Sequence, residues 1–140
     1  VPRPMRVVEA TDSWTYPTAT WRQARATAAN QLDFVIGVAE DAVYAQVIVN
    51  AANDTGNTNR VGIGLDSTTV PATGCLMARF RVITAAQNQE IISFWRGFPG
   101  AGRRTLVWLE HASAAGITTW TGDNGDATLD QSGIEGMVMA

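Results

Sequence analysis

The chain has 140 residues, enough for one domain that buries roughly two thirds of the surface its unfolded chain would expose, so neither a disulfide nor a metal is needed to hold it. A net charge of −3 argues against a broad nucleic-acid footprint. With no apolar run of 18 residues and no basic segment leading into an apolar one, the sequence predicts neither membrane insertion nor a signal peptide.

Only 16% of residues are charged, against about 25% in ordinary soluble domains. A chain so poor in charge is either nearly all core or hides part of its surface in an oligomer. Lysine is absent and all ten basic residues are Arg. Arg suits interfaces because it pairs bidentately and stacks on rings, although a GC-rich coding sequence accounts for the same bias. Five Trp residues exceed what a core of this size requires, which points to subunit contacts or a binding face.

Taken from the N-terminus, Val1-Pro2-Arg3-Pro4 reads as the remnant of an extended linker, so residues 1–10 are the end of a stalk leading into the first strand and 11–140 a single head domain. Period-two alternation between turn residues predicts strands at Met5–Glu9, Ala19–Arg22, Asp33–Val38, Ala42–Asn50, Arg60–Leu65, Leu76–Val82, Ile91–Trp95, Thr105–Glu110, Thr118–Thr121 and Gly133–Met139. Between Arg22 and Asn30, Ala and Arg allow one or two helical turns at best, since apolar bulk at helical spacing is missing. Val43, Ala45, Val47 and Val49 form the better core face of their strand, and the short Glu40-Asp41 link predicts that Asp33–Val38 and Ala42–Asn50 pair as a hairpin. Exposed loops are expected at Asn53–Asn59, Asp66–Gly74, Gly97–Gly102 and Asp123–Asp130, with Asp123-Asn124-Gly125-Asp126 a tight turn between the last two strands. The apolar end, Ile134 to Ala140, should tuck into a sheet or against a partner. About ten short strands in one domain fit an all-β, jelly-roll-like sandwich.

No catalytic signature accompanies these strands, and no cofactor is implied. His111 is the only histidine and reads as a polar residue at a strand end, with Glu110 on the opposite face. Cys75, the only cysteine, reads as a small buried hydrophobe rather than a nucleophile for His111. Asp123, Asn124 and Asp126 bring three oxygen-bearing side chains within four residues, a set that suits calcium but also suits a turn. Gly62-Ile63-Gly64 lacks the third glycine and the helix of a phosphate-cradling loop. Sugar binding has better candidates: Trp14, Tyr16, Trp95 and Phe98 lie in or beside loops, near Arg96 and Arg103, where rings could stack on sugar faces and cations could meet hydroxyls.

Several segments together resemble the C-terminal head modules of tailed-bacteriophage and prophage fibre proteins, on tail or capsid: Thr20-Trp21-Arg22-Gln23-Ala24, Asn30-Gln31 leading into Phe34-Val35-Ile36-Gly37, Val61 to Ser67, Trp108-Leu109-Glu110, and Gly116 to Thr119 with its Gly-Asp-Asn-Gly turn. The resemblance implies a homotrimer, similar in outline to the jelly rolls of complement and tumour-necrosis-factor type, exposed on a virion and joined to other virion proteins through its N-terminal side. It further implies a receptor-binding head whose loops recognise a bacterial surface glycan or protein. A purely structural fibre tip or capsid decoration is the alternative, and a small carbohydrate-active enzyme a weaker one, since no pair of carboxylates is evident.

Overall fold

The computed structural model describes residues 1–81 and 85–139. Among the described residues twelve strands form two antiparallel sheets: β1 (Arg3–Val8), β2 (Ser13–Thr15), β3 (Arg22–Gln23), β4 (Gln31–Ile36), β5 (Val43–Asn53), β6 (Thr58–Leu65), β7 (Leu76–Met77), β8 (Phe80–Arg81), β9 (Gln89–Gly97), β10 (Gly102–His111), β11 (Thr118–Thr121) and β12 (Gly133–Val138). Val82, the predicted end of one strand, and Ala140 lie outside the described residues.

β5 is the spine of the seven-stranded sheet. β9 runs along one side of it, while β12 and β11 share the other side end to end. β1 continues outward from β12, β2 from β11 and β7 from β9. β10 is the spine of the five-stranded sheet, with β6 on one side, β4 and β3 sharing the other, and β8 beyond β6. The two sheets close over one core, as the all-β expectation requires.

Local patterning explains the core. Val43, Ala45, Val47, Val49 and Ala51 alternate inward along β5 and are fully buried, while Tyr44, Gln46 and Ile48 face outward. β10 instead buries five consecutive residues, Leu106 to Glu110. Leu106 and Trp108 join the cluster between the sheets, whereas Val107 and Leu109 lie on the outer side beneath the chain itself. Gly62 and Gly64 make that cover possible. A Cβ on Gly64 would stand 2.2 Å from the Ser67 carbonyl oxygen, and one on Gly62 3.2 Å from the Trp21 ring.

One expectation is overturned and two are borne out. Asp33–Val38 and Ala42–Asn50 do not form a hairpin: β4 pairs with β10 and β5 with β9, β11 and β12, so residues 37–42 cross between sheets and the two apolar faces meet the core from opposite sides. The turn at Asp123–Asp126 has the positive φ expected at Asn124 (52°) and Gly125 (80°), yet β11 and β12 do not pair with each other. The link between them is held instead by the β1–β2 connection, where Gly122 and Asp123 donate to the Asp12 and Thr11 carbonyls. Between Arg22 and Asn30 only a single 3-10 turn, Ala24–Ala26, forms, with Arg25 at φ 55° and Ala26 at φ 49°.

Candidate functional site

The structure separates the predicted aromatic residues into two groups. Trp14 and Tyr16 are interior. The Trp14 indole N–H donates to Glu110 Oε2 at 2.8 Å, and its ring meets Trp108 edge-on at 6.0 Å between centroids. Tyr16 lies under the Arg22 guanidinium, 3.8 Å from its ring centroid, and its hydroxyl bonds Thr20. Neither ring presents a face to the outside, so both are core residues rather than platforms. Arg103 stands apart on the five-stranded sheet, exposed and paired with Asp33 at 3.4 Å. Trp95, Arg96 and Phe98, in contrast, line one cleft.

Behind Trp14 lies a buried acid network with no local signature in the sequence. Glu110 faces inward from the end of β10: Oε1 accepts from Arg22 Nε at 2.7 Å and from the Arg25 backbone N–H at 3.1 Å, and Oε2 accepts from Trp14. Glu9 Oε2 accepts from Arg25 Nε at 2.8 Å and Asn30 Nδ2 at 2.9 Å, and Oε1 from the Thr11 N–H. The left-handed backbone at Arg25 is therefore clamped from both sides, its amide by one acid and its guanidinium by the other. Burial pushes the Glu110 carboxyl up, only partly offset by Trp14, Arg22 and the Arg25 amide. Burial also pushes Glu9 up, but the bonds from Arg25, Asn30 and Thr11 outweigh it and bring that carboxyl down to about 2. All four carboxylate oxygens are engaged with structural donors.

The other titratable candidates make local contacts, although His111 Nδ1 is buried without a hydrogen-bond partner among the described residues. His111 packs edge-on against Trp21 at 5.1 Å, on the face opposite Glu110, and burial followed by the Arg60 charge holds its pKa below the usual value. Cys75 Sγ lies 3.3 Å from Ser93 Oγ and accepts the Ile63 N–H at 3.4 Å. Asp123 Oδ1 accepts from the Gly125 N–H, and Asp126 Oδ1 from the Thr128 amide and hydroxyl. Among the described residues no three His, Cys, Asp or Glu side chains are grouped to hold a metal ion.

The predicted loops fall at different places. Asn53–Asn59 sits at the start of β6, braced by Asp54 accepting the Ile117 amide and by Asn57 donating to the Ala115 carbonyl. Residues 66–74 leave the other end of β6 and meet the β9–β10 link to form the cleft. Its walls are Leu65, Ser67, Val70, Thr73, Trp95 and Phe98, with Arg96 at the edge. Trp95 is buried and donates from Nε1 to the Thr73 carbonyl at 3.1 Å, tying the loop to β9. Asp66, at φ 53°, starts the loop by accepting the Thr105 amide and Arg104 Nη1, each at 2.8 Å. Burial raises the Asp66 carboxyl, and the bonds from Thr105 and Arg104 together with the Arg104 charge outweigh it and lower it. Ser67 Oγ then accepts from the Val70 amide at 3.1 Å. On this fixed frame the Phe98 ring stands 69% exposed.

A second surface went unrecognised in the sequence: the outer face of the seven-stranded sheet. Register aligns Leu76, Phe94, Gln46, Glu135 and Arg6 across β7, β9, β5, β12 and β1, with Arg96, Tyr44, Met137 and Pro4 in the next row. Tyr44 donates to Gln46 Oε1 at 2.9 Å, Gln46 donates to Glu135, and Arg6 donates to Glu135 Oε2 at 2.7 Å. The bonds from Arg6 and Gln46 hold Glu135 below the usual carboxylate range. Its signal is the outward half of the alternation in β5.

No protein-family model and no curated protein matches the sequence. Solved structures that align with the chain include a Clostridium thermocellum family 35 carbohydrate-binding module, at 13% identity and TM-score 0.35 over 96% of this chain and 97% of that one. A Paenibacillus sp. cycloisomaltooligosaccharide glucanotransferase complexed with cycloisomaltoheptaose aligns at 13% identity and TM-score 0.34 over 99% of this chain and 18% of that one. An Arthrobacter globiformis T6 isomalto-dextranase complexed with panose aligns at 16% identity and TM-score 0.34, over 89% and 23%. The chain thus spans about a fifth of the length of these two enzymes. At TM-scores this low the likeness decides nothing about ligand or chemistry.

Proposed function

We propose that the domain is a non-catalytic recognition module, the head of a virion fibre, that takes a bacterial surface glycan in the cleft between residues 66–74 and the β9–β10 link. One observation carries the reading: the exposed Phe98 ring lines a cleft with the Thr73 and Ser67 side chains, on a frame that the Trp95 bond to the Thr73 carbonyl ties down. A pyranose offers an apolar C–H face to such a ring and hydroxyls to the polar rim. The pre-set frame limits the entropy that binding must overcome, and contacts this small gain strength through several copies on one particle. The buried acids support a non-catalytic role, because their oxygens are engaged in holding the Arg25 turn rather than turned toward the cleft.

The test is binding to an array of bacterial surface polysaccharides. Phe98→Ala should weaken the strongest signal by about tenfold, the effect of losing one stacked ring, whereas Arg103→Ala, on the other sheet, should leave it unchanged. A wild-type protein that binds no glycan, or a Phe98→Ala protein that binds as well as wild type, would overturn the reading.

A further inference from the structure

We infer that the outer face of the seven-stranded sheet docks against the same face of a second copy of this chain about a twofold axis. The two sheets differ in how their outer sides are finished. That of the five-stranded sheet is covered over β6 and β10 by Trp21 and the Ser67–Val70 backbone. Among the described residues nothing covers that of the seven-stranded sheet, and Val8, Ile48, Leu76, Phe94 and Met139 are exposed on it. Exposed apolar side chains grouped on one sheet face mark an interaction surface.

Charge order along β9 identifies the occupant. Its outward residues run Glu90, Ile92, Phe94, Arg96: an acid at one end, a base at the other and apolar side chains between. Neither Glu90 nor Arg96 forms an ion pair among the described residues; Arg96 lies 6.0 Å from the Tyr44 ring. Consider an axis lying in the plane between the copies, crossing β9 midway between Ile92 and Phe94. Rotation about it reverses the strand and sets Arg96 opposite the partner's Glu90, Glu90 opposite the partner's Arg96, and Phe94 against the partner's Ile92. A self-complementary patch of this kind is what an isologous dimer requires.

The same rotation lays β5 over its own copy, with Gln46 opposite the partner's Ile48. Tyr44, Gln46, Glu135 and Arg6 already bond one another, so covering them leaves no isolated charge. Five strands at about 4.8 Å spacing, over six residues at about 3.4 Å, give roughly 400 Å² of flat area per copy. That lies below the size of a stable specific interface, so the association is a weak, transient one. This twofold contact differs from the threefold ring that the fibre-head resemblance implies.

Sedimentation velocity over a concentration series of the whole chain tests it. The wild type should shift with concentration from 15.0 kDa to twice that mass. Arg96→Glu alone places acid against acid at both ends, and Glu90→Arg alone places base against base; each should weaken dimerisation at least about tenfold. An equimolar mixture of the two variants restores both pairs and should recover wild-type affinity. Monomer at every concentration, a mass of three chains, or a mixture no stronger than its components would overturn the proposal.

Discussion

Replacing Glu9 by Gln removes one charge from the clamp on the Arg25 turn while keeping its shape, and the cost follows from the structure. The carboxyl sits at about 2 in the folded chain against an ordinary 4.5, and at about 1.4 kcal/mol per pH unit that gap is worth about 3 kcal/mol of stability at pH 7. A folded-state value below the unfolded one means the stabilisation is complete above pH 4.5 and disappears as pH falls toward 2. Urea unfolding followed by Trp fluorescence at pH 7, 4.5, 3 and 2 should show Glu9→Gln about 3 kcal/mol less stable at pH 7, with the two proteins converging at the lowest pH. Glu110 titrates in both, so the difference isolates Glu9. A loss under about 1 kcal/mol at pH 7, or a difference that persists at pH 2, would refute the reasoning.

Other substitutions test the frame around the core and the cleft. Gly64→Ala forces a Cβ to within 2.2 Å of the Ser67 backbone oxygen and should cost more than about 2 kcal/mol in chemical denaturation, whereas Gly37→Ala, with nothing within 4 Å, should be close to neutral. Trp14→Phe deprives buried Glu110 Oε2 of its donor and should cost about 1–3 kcal/mol by the same measurement, with equal stability ruling out a structural role for that bond. His111, held below its usual 6.5 by burial and by Arg60, contributes stability that is complete above pH 6.5 and lost as pH falls through its folded value; thermal melts between pH 7.5 and 5 should show a decline that His111→Asn flattens.

Strand positions were legible because burial imposes a period of two, as in β5, where every second residue from Val43 to Ala51 is buried. Partners were not, because alternation reports which side of a strand is apolar and nothing about what lies beside it; hence the misplaced β4–β5 hairpin. β2 was missed at three residues, too short to alternate, and with it the inward direction of Trp14. Glu9 and Glu110 are about a hundred residues apart and meet only through Arg25, so no local pattern could announce them. Of the six residues that the sequence offered together for sugar binding, Trp95, Arg96 and Phe98 line one cleft because they are neighbours at the end of β9. The opposite wall of their cleft depends on the fold of residues 66–74, set by the Asp66 bonds to β10.

The recognition reading is tested most directly by titrating the 15N-labelled domain with a bacterial surface oligosaccharide and following its amide resonances. The account predicts shifts grouped at Ser67, Thr73, Trp95 and Phe98, with the amides around Asn53–Asn59 unmoved. Shifts grouped at that opposite end of β6, or none at saturating sugar, would contradict it.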